Sequence, residues 1–190
     1  RSDKLENLRK ATVIVERELA QHKPGQYFAV IVDNEEGTPL SSINHIQETI
    51  ARSLNVPARN VNLTIFSEKA TGVEGGKRRY GEIVGIKVER MNGKLHQTGI
   101  PQLISLQAKI VAGNPAVARV FYAVKDVEER KPYAVGIRSV ETKDFLTARV
   151  SEIPWTTLSK IAEQIVEECP SVSAVYYDVT PKPPATIEME

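Results

Sequence analysis

The chain has 190 residues, 41% hydrophobic and 26% charged, and a formal net charge of +1. That is enough for one large or two small globular domains with a real core, and the near-neutral charge excludes a global pull towards nucleic acid or anionic membrane. A single cysteine, Cys169, excludes an intramolecular disulfide and suits a reducing, cytoplasmic setting. No apolar run approaches the ~18 residues of a membrane span and the start is not signal-like, so neither insertion nor export is expected. The chain begins at Arg1 rather than methionine, as expected of a piece of a longer protein or of processing.

Ser2 to about Gln21 reads as an amphipathic helix on Leu5, Leu8, Thr12, Val15 and Leu19, with Asp3 and Glu6 as a capping pair. Lys23-Pro24-Gly25 ends it. A short apolar strand follows over Tyr27 to Val32. Thr38-Pro39 supplies a cap and first-turn proline for a second helix, whose buried stripe is Ile43, Ile46, Ile50 and Leu54. Val61 to Ser67 is a strand, residues 69–79 a glycine-rich charged loop, and Tyr80 to Val88 a strand again. Met91-Asn92-Gly93-Lys94 reads as a turn. A third helix runs from about Pro101 to Val111 on Leu103, Leu106 and Ile110. Strands at Ala118 to Val124 and Tyr133 to Val140 precede a fourth helix from Pro154, with Trp155, Leu158, Ile161 and Ile165 inward. The last strand is Val172 to Val179.

Two short motifs recur. Val84-Gly-Ile-Lys87 matches Val135-Gly-Ile-Arg138 at a distance of 51 residues, and Ile100-Pro101 matches Ile153-Pro154 at 53. The fold expected is therefore α/β (α+β): an initial helix, then two or three repeated β-α-β units forming small sheets with helices packed on one face. The expected division is a linker helix over 1–24, a first, divergent repeat region over 25–125, and a C-terminal β-α-β unit with its tail over 126–190.

Two stretches carry chemistry. In Gly72-Val73-Glu74-Gly75-Gly76-Lys77-Arg78-Arg79-Tyr80, glycines that allow close backbone approach precede three cations. This is either a phosphate cradle or a hairpin tip with solvated charges. The tail from Thr180 to Glu190 is stiffened by Pro181, Pro183 and Pro184. It offers Lys182, suited to a phosphate, and Glu188, suited to base N–H groups or sugar hydroxyls, unless it is a solvated end packed on a neighbour. His22, His45 and His96 are not at ligand spacing from one another or from Cys169, so no metal site is expected. Cys169, at the end of the fourth helix, reads as a small buried residue. No Walker, dinucleotide or Gly-x-Ser-x-Gly pattern is present.

The tail, Tyr177-Asp178-Val179 through Lys182-Pro-Pro-Ala-Thr-Ile-Glu188, resembles the C-terminus of glutamine-hydrolysing GMP synthases, which end Tyr-Asp-Ile-x-x-Lys-Pro-Pro-Ala-Thr-Ile-Glu-Trp-Glu; Met189 replaces the Trp. Lys4-Leu5-Glu6-Asn7-Leu8-Arg9-Lys10-Ala11 is similar to the linker helix of that family, and Gln26-Tyr27-Phe28-Ala29-Val30 to the segment that follows it. Arg78 falls on the arginine of the family's Gly-Val-x-Gly-Asp-x-Arg-Thr-Tyr, with Gly76 in place of Asp and Arg79 in place of Thr. Val140 to Ala148 is close to Val-Glu-Thr-x-Asp-Phe-Met-Thr-Ala; this stretch reads as structural, with Asp144 in a local backbone hydrogen bond. The resemblance covers residues 3–30, 69–80 and 133–190, leaving 31–67 and 91–130 as extra material.

The resemblance implies a domain that holds xanthosine monophosphate (XMP) during its ATP-dependent amination to GMP. Lys182, Ile187, Glu188, Arg78 and Gln26 would contact the substrate, and no residue of this chain would be catalytic. ATP and Mg2+ would belong to an ATP pyrophosphatase domain or subunit, and ammonia to a glutamine amidotransferase domain or subunit; a homodimer is also implied. Where members carry an arginine early in the last strand this chain has Ala174, and Arg119 of the preceding repeat either substitutes for it or marks a different pocket. The alternative is a non-catalytic dimerisation module, or a KH-like RNA-binding module built on Gly72-Val-Glu-Gly75.

Overall fold

The computed structural model describes residues 2–74, 77–142, 144, 147–182 and 185–189, with Glu74 by its backbone alone. Among these residues four helices, α1 (Ser2–Leu19), α2 (Ile43–Leu54), α3 (Ile100–Gly113) and α4 (Trp155–Glu168), cover one face of a mixed sheet. Its strands are β1 (Gln26–Asp33), β2 (Val61–Glu74), β3 (Lys77–Val88), β4 (Val117–Asp126), β5 (Tyr133–Thr142), β6 (Ala148–Val150) and β7 (Val172–Asp178). The order is β1-β5-β7-β4-β3-β2, with β6 on β5. From edge to edge the pairings are antiparallel, parallel, antiparallel, parallel, antiparallel, so the sheet reads alike from either side.

Two of the expected β-α-β units are present, β3–α3–β4 and β5–α4–β7, and they share one sheet. A third unit, β1–α2–β2, is not formed. β2 takes its partner through the short hairpin to β3, while β1 pairs with β5, which leaves β1 and β2 at opposite edges. Short connections outcompete long ones for strand pairing. The sheet curls until those edges meet on the side away from the helices. Ser67 N donates to Glu35 O at 2.9 Å, Gly37 N to Ile65 O at 2.6 Å, and Lys4 Nζ bridges Asp33 (3.0 Å) and Glu68 (2.6 Å).

Local details differ from expectation for identifiable reasons. α1 buries Asn7, Ala11, Ile14, Val15 and Leu19, while Leu5 stays exposed, so the buried stripe is rotated away from Leu5 towards Asn7, Ala11 and Ile14. Asp3 lies within the first turn and accepts from the Asn7 side-chain amide at 3.1 Å, in place of pairing with Glu6. α2 starts at Ile43 with Ser42 as N-cap, so Thr38-Pro39 belongs to the preceding loop. The charged run after Ser67 is no loop in its described part: β2 continues to Glu74 and β3 begins at Lys77, beyond a bulge between Ile65 and Lys69. Gly75, Gly76, Lys143, Phe145, Leu146, Pro183, Pro184 and Glu190 of the stretches singled out above lie outside the described residues.

The recurring Val-Gly-Ile motifs have a packing cause. A Cβ on Gly85 would meet Phe66 Cε2 at 2.8 Å and Tyr176 Cε1 at 3.2 Å. One on Gly136 would meet Phe121 Cε2 and Val30 Cγ2, each at 2.9 Å. The absent side chains leave room for a second core of Phe66, Phe121 and Tyr176 on the helix-free face, with ring centroids 5.7–6.3 Å apart.

Candidate functional site

Beyond β7 the tail crosses this helix-free face. Lys182 exchanges two backbone hydrogen bonds with Ala148 of β6, both 3.0 Å; Ala185 bridges to Gly72, and Thr71 N donates to Met189 O at 2.8 Å. Thr180, Ala185 and Thr186 are buried. A solvated end is thereby excluded for the described part of the tail.

Two arginines hold it. Arg119 on β4 and Arg138 on β5 are 0% and 1% exposed, and Asp178 at the end of β7 is 1% exposed. Arg119 donates from Nη1 to Asp178 Oδ2 at 2.8 Å, and from Nη2 to Thr186 Oγ1 at 2.8 Å and Glu188 O at 2.5 Å. Arg138 reaches Asp178 Oδ1 at 3.4 Å, Thr186 O at 2.9 Å and Ile187 O at 3.2 Å, and also donates to Thr180 O. Asp178 Oδ1 further accepts Thr180 N at 3.0 Å. Burial pulls the Arg138 guanidinium down to about 10, with Asp178 opposing and nearby Arg119 adding to the fall. It therefore stays charged at neutral pH. Two buried cations thus face one buried anion, and tail carbonyls and the Thr186 hydroxyl accept from the other guanidinium nitrogens except Arg119 Nε, which has no partner among the described residues.

Ala185 and Thr186 turn inward, while holding Ile187 and Glu188 by their carbonyls leaves the Glu188 side chain to face outward. Glu188 is exposed and lines a cleft of about 550 Å3 with Gln26, Phe28, Lys69, Tyr80 and Met189. Of the residues expected to touch substrate, Gln26 and Glu188 therefore share one cleft, although they come from opposite ends of the chain. Ile187 is next to it, its carbonyl engaged by Arg138. Arg78 is exposed on β3 two residues from Tyr80, on the same strand face, and Lys182 lies at β6, outside the cleft lining. Among the described residues no cluster could hold a metal ion, and Cys169 is buried at the end of α4. Asp144 Oδ1 accepts Thr147 N at 2.9 Å, the local turn bond expected of it.

Residues 124–189 match the family described as GMP synthase C terminal domain. The chain carries a GMP synthase C-terminal domain. Over 99% of its length it is 34% identical to a subunit of the glutamine-hydrolyzing GMP synthase of Sulfurisphaera tokodaii, covering 44% of that protein. It is 33% identical to the corresponding protein of Saccharolobus solfataricus, covering 43% of it. A 58-residue stretch is 53% identical to the corresponding protein of Methanocella arvoryzae, 30% of this chain and 19% of that relative. The chain spans less than half the length of these curated relatives. Within the matched GMP synthase domain lie Arg138, Asp178, Lys182, Ile187 and Glu188; Gln26, Arg78 and Arg119 lie outside it.

Arg138 and Asp178 are absent from the site expected from sequence. Their signal was present: each is the single charge in a stretch otherwise made of apolar residues, tyrosine and one serine, Val135-Gly-Ile-Arg-Ser-Val140 and Val172 to Val179, where burial demands a partner. Arg119, in Val117-Ala-Arg-Val-Phe-Tyr122, bears the same mark.

Proposed function

We propose that this chain is the part of a GMP synthase that binds XMP and presents it for ATP-dependent amination to GMP in the cytoplasm. One observation carries the reading: Gln26 and Glu188, both expected to touch substrate, meet in one cleft, and a buried arginine pair fixes the tail segment that bears Glu188. The carboxylate of Glu188 and the amide of Gln26 suit the purine edge and ribose hydroxyls, and Arg78 and Lys182 suit the phosphate. The adenylation chemistry and ammonia supply fall to the pyrophosphatase and glutaminase parts, with ATP and Mg2+ in the former. The KH-type alternative loses its support, because Gly72 and Val73 lie in strand β2 and do not join two helices.

The test is GMP formation by the natural full-length protein, with its glutaminase partner or ammonia. Gln26→Ala, Glu188→Gln, Lys182→Ala and Arg78→Ala are each expected to raise KM for XMP about tenfold or more, the loss of a hydrogen bond to a charged group, with KM for ATP unchanged. GMP formation indifferent to all four would leave the domain a scaffold and overturn the proposal.

A further inference from the structure

The sheet carries the signature of a symmetric dimer inside one chain. Its pairing pattern is the same from either edge, with β4 against β7 at the centre. Tyr122 sits directly opposite Tyr177, and each hydroxyl donates to the backbone leading into its own copy's helix: Tyr122 to His96 O at 2.9 Å, Tyr177 to Ser151 O at 2.6 Å. The glycines of the repeat exchange rings reciprocally. Gly85 of β3 receives Tyr176 from β7, and Gly136 of β5 receives Phe121 from β4, although Gly85 matches Gly136 and Phe121 matches Tyr176. A contact from i to j mirrored by one from j to i defines an isologous two-fold interface.

The chain order shows how one chain holds both halves. α2-β2-β3-α3-β4 is continuous, whereas the other α-β-β-α-β set is α1-β1 completed by β5-α4-β7. One copy is inserted between β1 and β5 of the other.

The two halves are not equal at the clamp. Aligned through Tyr122 and Tyr177, Arg119 corresponds to Ala174, Asp178 to Ala123, and Arg138 to Lys87. Lys87 pairs with Asp126 at 2.5 Å, and the chain beyond β4 turns back into β5 with no tail to hold. The surviving clamp draws Arg138 and Asp178 from one copy and Arg119 from the other.

We infer that the inserted copy is a built-in dimer mate. It occupies the surface a single copy would offer to a second chain, completes the tail clamp in cis through Arg119, and leaves one clamp per chain with the mate position erased. Arg119 is a positioning residue: it acts on any ligand only through the tail.

The experiment is hydrogen exchange of the tail amides in the natural full-length protein, which needs no ligand. Arg119→Met and Arg138→Met are each expected to speed exchange over 185–189 about tenfold or more, while amides of β5 and β7 stay protected. Arg119→Lys, which keeps the charge, recovers part of the protection and serves if the Met variant unfolds. Chains bearing Arg119→Met refolded together with chains bearing Arg138→Met remain unprotected if the clamp closes within one chain. Restored protection in the mixture would show Arg119 acting between chains and overturn the inference, as would wild-type exchange in both Arg119 variants.

Discussion

Charge accounting at the tail clamp predicts that its single anion matters more than either cation. In Asp178→Asn the side-chain shape persists, but two buried guanidiniums lose their only counter-charge among the described residues, bonds of 2.8 Å from Arg119 and 3.4 Å from Arg138. Removing one member of a buried ion pair costs about 3–5 kcal/mol. For a domain of this size that lowers Tm by about 6–20 °C. Arg119→Met, by contrast, leaves Arg138 and Asp178 one to one; its bond to Asp178 is worth about 1.5–3 kcal/mol, and the acceptors on Thr186 and Glu188 that it also leaves lie next to the open cleft, where water can replace it. Urea unfolding of residues 1–190 followed through Trp155, the sole tryptophan, reports both. Trp155 donates to Thr98 O at 2.5 Å and packs edge-on against Tyr122, so its emission responds to loss of the core. An Asp178→Asn protein within about 1 kcal/mol of wild type, or less destabilised than Arg119→Met, would refute the reasoning.

Gly136→Ala is expected to destabilise by about 1–3 kcal/mol, since its Cβ falls 2.9 Å from the Phe121 ring in a closed core; Phe121→Leu in the same chain should recover part of the loss, and a neutral single variant would show that the ring gives way. His96, half-buried with Nδ1 3.2 Å from the Tyr122 hydroxyl, is held below its usual 6.5 by burial and then by Arg90. The folded state then binds fewer protons than the unfolded one, so stability falls as pH drops from 6.5 to the folded value and levels off beneath it. His96→Asn should flatten that limb of the stability–pH profile, and an unchanged limb would assign it elsewhere.

Much of this protein is written locally. Ile46 and Ile50 of α2, or Leu158, Ile161 and Ile165 of α4, announce helices because 3.6-residue periodicity is a property of neighbours in sequence. Val-Gly-Ile and Ile-Pro likewise disclosed the duplication, and the tail and Gln26 carried the family's mark. Partner choice was not legible. β1 could have paired with β2, and only competition among all the strands sends them to opposite edges. The outer half of the β2–β3 hairpin also escaped, because glycines and charges have weak strand preference and are held there by the ladder from Lys69–Glu82 to Glu74–Lys77.

The sequence by itself determined the helices, most strands, the repeat and the identity of the tail, since each is encoded within a few turns of chain. Only the tertiary structure decided that Arg119, Arg138 and Asp178, spread over 59 residues, close on one tail segment, and that Gln26 and Glu188 share a cleft. Such groups are ordinary charges in the extended chain. They become a clamp when burial removes water and leaves each with only the partners the fold supplies.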